Sequence, residues 1–243
     1  MRLRFTWPRL PGTCQVCGHW PSLPLCESCV DRFARPRARC EVCATPLEAD
    51  RCLHCLRQPT SASQGPPALS RRHAAVDYAF PWSGLIGRFK FGGEPGWALP
   101  FADLMLQRPE ARTLLASCDA LVPIALTPQR VAERGHHAPW ELARALGRRA
   151  GLACRPDWLQ RVKEGPAQRE LSRDQRLRNL GDAFAVPRHA FNALRGARLA
   201  LVDDVTTTGA TLQAAANALR QAGAREVSAL VFARTPAPHE TPG

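Results

Sequence analysis

The run RLALVDDVTTTGATL, Arg198–Leu212, decides how the chain reads. Leu199–Val202 is a short apolar stretch of the kind that forms a strand buried on both faces. Asp203 and Asp204 follow at once, then Thr206, Thr207 and Thr208, Gly209, Ala210 and Thr211. From Leu212 to Ala222 the apolar positions Leu212, Ala215, Ala216 and Leu219 have the spacing of one helix face. The order is strand, acidic tip, hydroxyl- and glycine-bearing turn, helix.

That order carries chemistry. A helix start offers unpaired amides and the positive end of a dipole to a phosphate. Gly209 lets the backbone approach closely, and the threonine hydroxyls add donors. Carboxylates at a strand's C-terminal edge lie where open α/β sheets bind ligands. They accept hydrogen bonds from a diol or approach Mg²⁺ through water. A phosphate at one end and hydroxyls at the other describe a sugar phosphate. For Asp-Asp alone, an acidic strand end before a threonine N-cap would suffice. The coincidence of several independent requirements favours a ligand site. A nucleotide-hydrolase reading fails, because no G-x-x-x-x-G-K-[ST] loop occurs and the only lysines are Lys90 and Lys163. No G-x-G-x-x-G follows a strand either, so a dinucleotide fold has no fingerprint.

VDDVTTTGAT resembles the phosphoribosyl pyrophosphate (PRPP) loop of type I phosphoribosyltransferases. The resemblance implies that Asp203 and Asp204 are the catalytic acids, facing the ribose hydroxyls. It also implies that Thr207, Thr208, Gly209, Ala210 and Thr211 cradle the 5′-phosphate, with Mg²⁺ accompanying PRPP.

The chain of 243 residues suits one ordinary domain plus a small one, and 45% apolar content excludes a mostly disordered protein. No apolar run approaches the ~20 residues needed to cross a bilayer, so membrane insertion is not expected. MRLRFTWPRLPGTC has positive charge but no apolar core before its first prolines, so it does not read as a signal peptide. A cytoplasmic location is the expectation. The formal charge of +12 is almost all arginine. Two four-thiolate zinc sites would lower it to about +8, still basic enough to favour phosphate-rich partners.

Eight of the ten cysteines fall in a repeat. Cys14-x-x-Cys17 precedes Cys26-x-x-Cys29, and Cys40-x-x-Cys43 precedes Cys52-x-x-Cys55, with eight residues between the knuckles of each pair. A C-x-x-C knuckle points two thiolates at one ion, and two knuckles complete a tetrahedron. Four disulfides would need an oxidising compartment, for which the sequence has no export signal. Two structural Zn²⁺ ions are expected, with sequential pairing favoured over crossed. His19 and His54 are bystanders to complete cysteine sets. Gly18 follows the first knuckle as such turns prefer, whereas the other three lack it. The expected organisation is a double zinc ribbon over 10–57, a linker over 58–73, a phosphoribosyltransferase-like domain over 74–235 and a loose tail over 236–243.

Within the large domain, strands are expected over Ala75–Trp82, Cys118–Leu126, Phe184–Val186, Leu199–Val202 and Val227–Ala233. Helices are expected over Leu85–Phe91, Trp97–Leu106 and Pro139–Ala150, and an exposed loop entering a short helix over Arg161–Asn179. Strands alternating with helices predict an α/β fold with a parallel sheet covered on both faces. Residues 127–180 carry twelve basic against six acidic side chains.

Taken together, the cysteines and the loop resemble the ComF family of competence and DNA-utilisation proteins, which join a zinc ribbon to a phosphoribosyltransferase-like domain. The resemblance is carried by RFKFGG at Arg88–Gly93, LVPIAL at Leu121–Leu126 and Arg134-Gly135. Gln168, Leu171, Arg176 and Asn179, within a run ending in Asp182-Ala183-Phe184, extend it. It implies that the turn at Ile124-Ala125 is a pyrophosphate loop, with Arg134 and Lys90 as candidate anion contacts. One departure stands out. The family's aromatic, Asn, Gln after Arg-Gly is here His136-His137-Ala138, so an amide donor and acceptor is missing near the site.

Two functions compete. One is a PRPP-binding transferase in which placement and charge stabilisation carry a cationic transition state. Its acceptor is unnamed, because no residue stands out as a general base. The other is a non-catalytic adaptor that binds nucleic acid or protein through a retained fold. Imported DNA, as single strands, and DNA-uptake proteins are the partners the resemblance implies. Metal analysis of the purified, undenatured protein should find two zinc ions per chain; finding none would refute the double ribbon.

Overall fold

The computed structural model describes residues 12–47, 51–56, 68–162 and 183–236. Most of the expected linker, the run 163–182 (with Lys163, Gln168, Leu171, Arg176, Asn179 and Asp182) and the tail from 237 lie outside the described residues. The chain divides between Arg35 and Pro36 into two compact units. The smaller contains α1, Glu27–Phe33. The larger begins with the second pair of cysteine knuckles and contains everything else.

In chain order the larger unit holds α2 (Leu53–Leu56), β1 (Arg72–Asp77), α3 (Trp82–Phe91), α4 (Ala98–Leu106) and α5 (Pro109–Ala116). Then come β2 (Ala120–Pro123), α6 (Pro128–Arg134), α7 (Ala138–Ala150), β3 (Ala153–Cys154), β4 (Gln160–Arg161) and β5 (Phe184–Ala185). It closes with α8 (Phe191–Leu194), β6 (Arg198–Thr206), α9 (Ala210–Gln221) and β7 (Glu226–Arg234). Five strands form one parallel sheet in the order β1-β7-β6-β2-β3. The parallel α/β sheet expected from the alternation is present.

Several boundaries differ from the sequence reading. The first strand is Arg72–Asp77, and Trp82 opens a helix. Trp82 is fully buried with its ring edge-on to Phe232, so it fills the core as a helical side chain. The strand expected at Cys118 begins at Ala120 and stops at Pro123. Phe184-Ala185 pairs antiparallel with Gln160-Arg161 in a separate two-stranded sheet, outside the main one. Helices α1, α2, α5, α6 and α8 were not anticipated, and of these α5 and α6 share a local signal. Both start with proline in the first turn, where a missing N–H costs nothing, and the Thr127 hydroxyl caps α6 by accepting from the Arg130 amide.

The sheet has a different core on each face. On one, Phe101 stacks on Phe232 at 3.9 Å while Phe89, Trp97 and Trp82 close around them. On the other, α9 lays Leu212, Ala215, Ala216 and Leu219 over Leu199, Leu201, Val227, Ala229 and Val231. That is the helix face its periodicity defines.

The register positions the functional edge. β2 stops pairing with β6 at Pro123↔Val202, and the Ile124 amide makes the last contact, to the Val202 carbonyl. β6 runs on as Asp203–Thr206 with only β7 beside it, Asp203↔Val231 and Thr206↔Arg234. The acids therefore project past the end of one neighbour, at the C-terminal edge of a central strand, where open α/β sheets bind ligands. Phe232→Ala, which removes a fully buried ring between Phe101 and Trp82, should lower unfolding free energy by about 3–5 kcal/mol in urea titrations.

Candidate functional site

Asp203 and Asp204 alternate across the sheet, as neighbours in a strand must. Asp204 is 3% exposed and is met by Lys90, whose Nζ lies 2.8 Å from its Oδ1. Its Oδ2 has no hydrogen-bond partner. Asp203 is partly exposed, and its Oδ1 accepts from the Asp204 amide at 2.9 Å. Burial and the charge of Asp204 push the Asp203 carboxyl up to about 8, against the opposing pull of Lys90. Two adjacent acids thus share one cation.

Lys90 is spoken for. It is drawn to Asp204 because a carboxylate at that depth requires a counter-charge. The rest of the Arg88–Gly93 run also acts through contacts. Arg88 clasps Glu94 through two N–H···O bonds, Phe89 packs on Phe101 and against the His136 ring, and Phe91 lies under the Arg134 guanidinium at 5.0 Å. Arg134 closes α6 and is followed by Gly135 in the left-handed region that ends the helix.

The turn after β6 brings the expected cradle together. Gly209 has φ 80°, ψ 6° and gives α9 no side-chain cap. The Thr208 hydroxyl accepts from the Ala210 amide at 3.3 Å, while Thr207 and Thr208 are exposed and Thr206 is buried. The turn therefore presents hydroxyls and amides at the positive end of a twelve-residue helix. Just past β2, Ile124 is buried and Ala125 is half-buried.

His137 is the residue the sequence reading undervalued. Its Nδ1 accepts from the Trp140 amide at 2.9 Å and caps α7, and its Nε2 faces the Leu126 amide at 3.2 Å. A neutral imidazole has one unprotonated nitrogen, so the helix cap and the 124–127 turn compete for a single lone pair. Burial lowers the His137 pKa, and the Arg134 charge adds to this. The signal was available: His137 stands immediately before Ala138-Pro139, where a proline in the first turn marks the preceding residues as the helix cap.

The eight knuckle cysteines gather in two sequential sets, Cys14, Cys17, Cys26, Cys29 and Cys40, Cys43, Cys52, Cys55, with all sulfurs of a set within 4.8 Å of one another. Cys17 and Cys26 sulfurs are 3.7 Å apart, Cys40 and Cys55 3.8 Å, and Cys43 and Cys52 3.4 Å. A disulfide needs about 2.05 Å. A tetrahedron with Zn–S near 2.3 Å has edges of about 3.8 Å, so both sets fit zinc. Burial raises the Cys14 thiol, but amide donors from Cys26, Cys17 and Val16 outweigh it and bring it to about 6. Burial and neighbouring sulfurs hold Cys29 and Cys55 far above the usual thiol range. A divalent ion resolves that conflict by taking all four as thiolates. Ala44, which follows Cys40-x-x-Cys43, has φ 62°, in the left-handed region that Gly18 occupies after Cys14-x-x-Cys17. Outside the sets, burial raises Cys118 to about 11 and Cys154 to about 12.

A model of the phosphoribosyl transferase domain matches residues 140–242. The DNA utilization protein YhgH of Escherichia coli O6:H1 is 30% identical over 242 residues, covering 93% of this chain and 98% of that protein. Competence protein F of Haemophilus influenzae is 32% identical over 215 residues, covering 86% of this chain and 90% of that one. Among solved structures, one of an allosteric regulatory enzyme of purine biosynthesis aligns with a TM-score of 0.33 and 19% identity, over 49% of this chain and 24% of that chain.

The depressed His137 pKa has a signed consequence. The folded state favours the neutral ring, so its contribution is complete above the ordinary histidine pKa of about 6.5 and is lost as pH falls below that value. Denaturant titrations between pH 7.5 and pH 5 should show the native chain losing more stability than His137→Gln, which keeps an acceptor that does not titrate. Parallel curves would remove His137 from the site's architecture.

Proposed function

This chain belongs to the family of competence protein F and the DNA utilization protein YhgH, and from that premise we propose that it binds PRPP, or another ribose phosphate, while handling imported DNA. The observation that supports the reading best is the continuation of β6 past β2. It sets Asp203 past the end of β2 and leads directly into the Thr207–Thr211 turn at the start of α9.

In this reading the amides and hydroxyls of Thr207, Thr208, Gly209, Ala210 and Thr211 hold the 5′-phosphate. Asp203 accepts from the ribose hydroxyls. Asp204, fixed by Lys90, keeps a negative charge behind it and orients the strand end. The turn Ile124-Ala125, steadied at Leu126 by His137, receives the pyrophosphate, with Arg134 at its rim. Mg²⁺ would arrive with PRPP and screen the pyrophosphate charge. Displacement of pyrophosphate from ribose C1 by an acceptor would build positive charge on the sugar, which the paired acids stabilise.

The non-catalytic alternative draws support from a specific feature. Both acids are already engaged without a ligand, Asp204 by Lys90 and Asp203 by the Asp204 amide, and Asp203 is driven toward its neutral form. A site of that kind can bind a ribose phosphate without turning it over. The basic composition and the two cysteine centres then serve as a platform for single-stranded DNA or for DNA-uptake proteins.

Isothermal titration with PRPP and Mg²⁺ should give saturable heat for the native protein. Asp203→Asn/Asp204→Asn should weaken binding by at least about tenfold, on the scale of lost charge-assisted hydrogen bonds. Absence of heat from the native, zinc-replete protein would refute the ribose-phosphate reading in both forms.

A further inference from the structure

Arg72 opens β1, yet its side chain serves neither the strand nor the surface. It is 8% exposed, and its Nε has no hydrogen-bond partner. The guanidinium lies against Gly209, where an added β-carbon would overlap Nη1, Nη2 and Cζ. Gly209 is thus required twice, for its positive φ and for the cation pressed against it. A fixed positive charge stands behind the amides that begin α9, where the helix dipole already concentrates positive potential.

Crowding charge of one sign in a buried place demands charge of the other. The second cysteine centre supplies it. Burial holds the Arg72 pKa below the ordinary arginine value, the Arg234 charge adds to this, and the thiolates of Cys43, Cys55 and Cys40 oppose it. Backbone contacts tie the same parts together. The Arg72 amide donates to the carbonyl of Glu41, between the two knuckle cysteines, at 2.6 Å. Arg234, 2% exposed and opposite Thr206 in register, donates from Nε to the carbonyl of Cys43 at 3.2 Å. Ala44 of the knuckle is fully buried in the same core cluster as Leu212 of α9 and Val231 of β7.

We infer that Arg72 is a positioning residue that couples the second four-cysteine centre to the phosphate cradle, so that metal in the one and a sugar-phosphate anion in the other stabilise each other. The inference rests on the reading of Thr207–Thr211 as a phosphate site. Four thiolates on one Zn²⁺ carry a formal −2, and Arg72 and Arg234 carry the matching charge. When the metal leaves, the knuckle loses the centre that holds it, and the carbonyls of Glu41 and Cys43 that tether Arg72 and Arg234 are no longer fixed. Arg72 is then free to move from behind Gly209, and the cradle loosens. An anion in the cradle binds best to the arrangement in which Arg72 stands against Gly209, the one the loaded cysteine centre favours, so by linkage it slows metal loss from the cysteines.

The experiment uses the full-length, zinc-loaded protein. Thiol alkylation in the presence of a zinc chelator, resolved cysteine by cysteine by mass spectrometry, reads metal loss at each centre. Saturating PRPP with Mg²⁺, or ribose 5-phosphate, should slow alkylation of Cys40, Cys43, Cys52 and Cys55 about tenfold and leave Cys14, Cys17, Cys26 and Cys29 unchanged. Arg72→Met, which keeps the bulk and removes the charge, should abolish this protection and weaken PRPP binding about tenfold; Arg72→Lys should restore part of both. Titration heat from the native protein together with alkylation rates unmoved by ligand would overturn the coupling while leaving the ribose-phosphate reading intact. No heat from the native protein would overturn both. The ligand-protection measurement needs no substitution, so it decides the matter even if Arg72→Met fails to fold.

Discussion

A carboxylate buried at the end of a parallel strand is the constraint on which the larger unit turns. Asp204 is nearly inaccessible, and a charge at that depth persists only if a cation is brought to it. Lys90 is that cation, so α3 must cross the sheet where its last turn reaches β6. Phe89, one residue earlier, then points into the aromatic cluster with Phe101, and Phe91, one residue later, meets Arg134. A single ion pair thereby fixes a helix, a core and the contact with Arg134. Removing either partner alone would strand the other, whereas the pair adds little net stability itself. Its value is placement.

The same sheet explains why the acids sit past the end of a neighbour and the apolar half of β6 does not. Val202 is the last residue to face a strand on both sides. Beyond it, β2 makes one last bond, from the Ile124 amide to the Val202 carbonyl, and pairs with β6 no further. Polar residues are affordable from Asp203 onward because the backbone there has one strand neighbour instead of two. Strand length and chemistry change at the same residue.

Much of this was legible in the chain. The apolar run, Gly209 and the α9 periodicity are local signals that lie where they were read, although β6 runs on from the expected Leu199–Val202 through both acids to Thr206. The cysteine spacing likewise predicted two sequential tetrahedral sets. What escaped was decided by distant partners. That Lys90 belongs to Asp204 depends on contact between residues more than a hundred positions apart. Trp82 looked like the end of a strand because its helical role rests on Phe232, far along the chain. Phe184-Ala185 has strand chemistry, but its pairing with Gln160-Arg161 is set by tertiary contacts that periodicity does not encode. The α5 and α6 helices were overlooked because each is short and weakly apolar, although Pro109 and Pro128 stood at their first turns.

The two cysteine centres look alike in sequence and differ in circumstance. The first lies in the small unit that ends at Arg35, where a metal held by its four cysteines would replace an apolar core that so short a stretch cannot build. The second lies in the large unit, which has an extensive core of its own. There the knuckle residue Ala44 is packed into that core, in a left-handed conformation that a non-glycine residue holds only under surrounding constraint. Folding energy alone does not require a metal at such a place. Charge does: Arg72 and Arg234 are buried beside it, and a centre with a net negative charge answers both at once. On the coupling proposed for Arg72, the repeated motif would perform two physical tasks, holding a small fold together in one copy and balancing buried arginines near a helix start in the other.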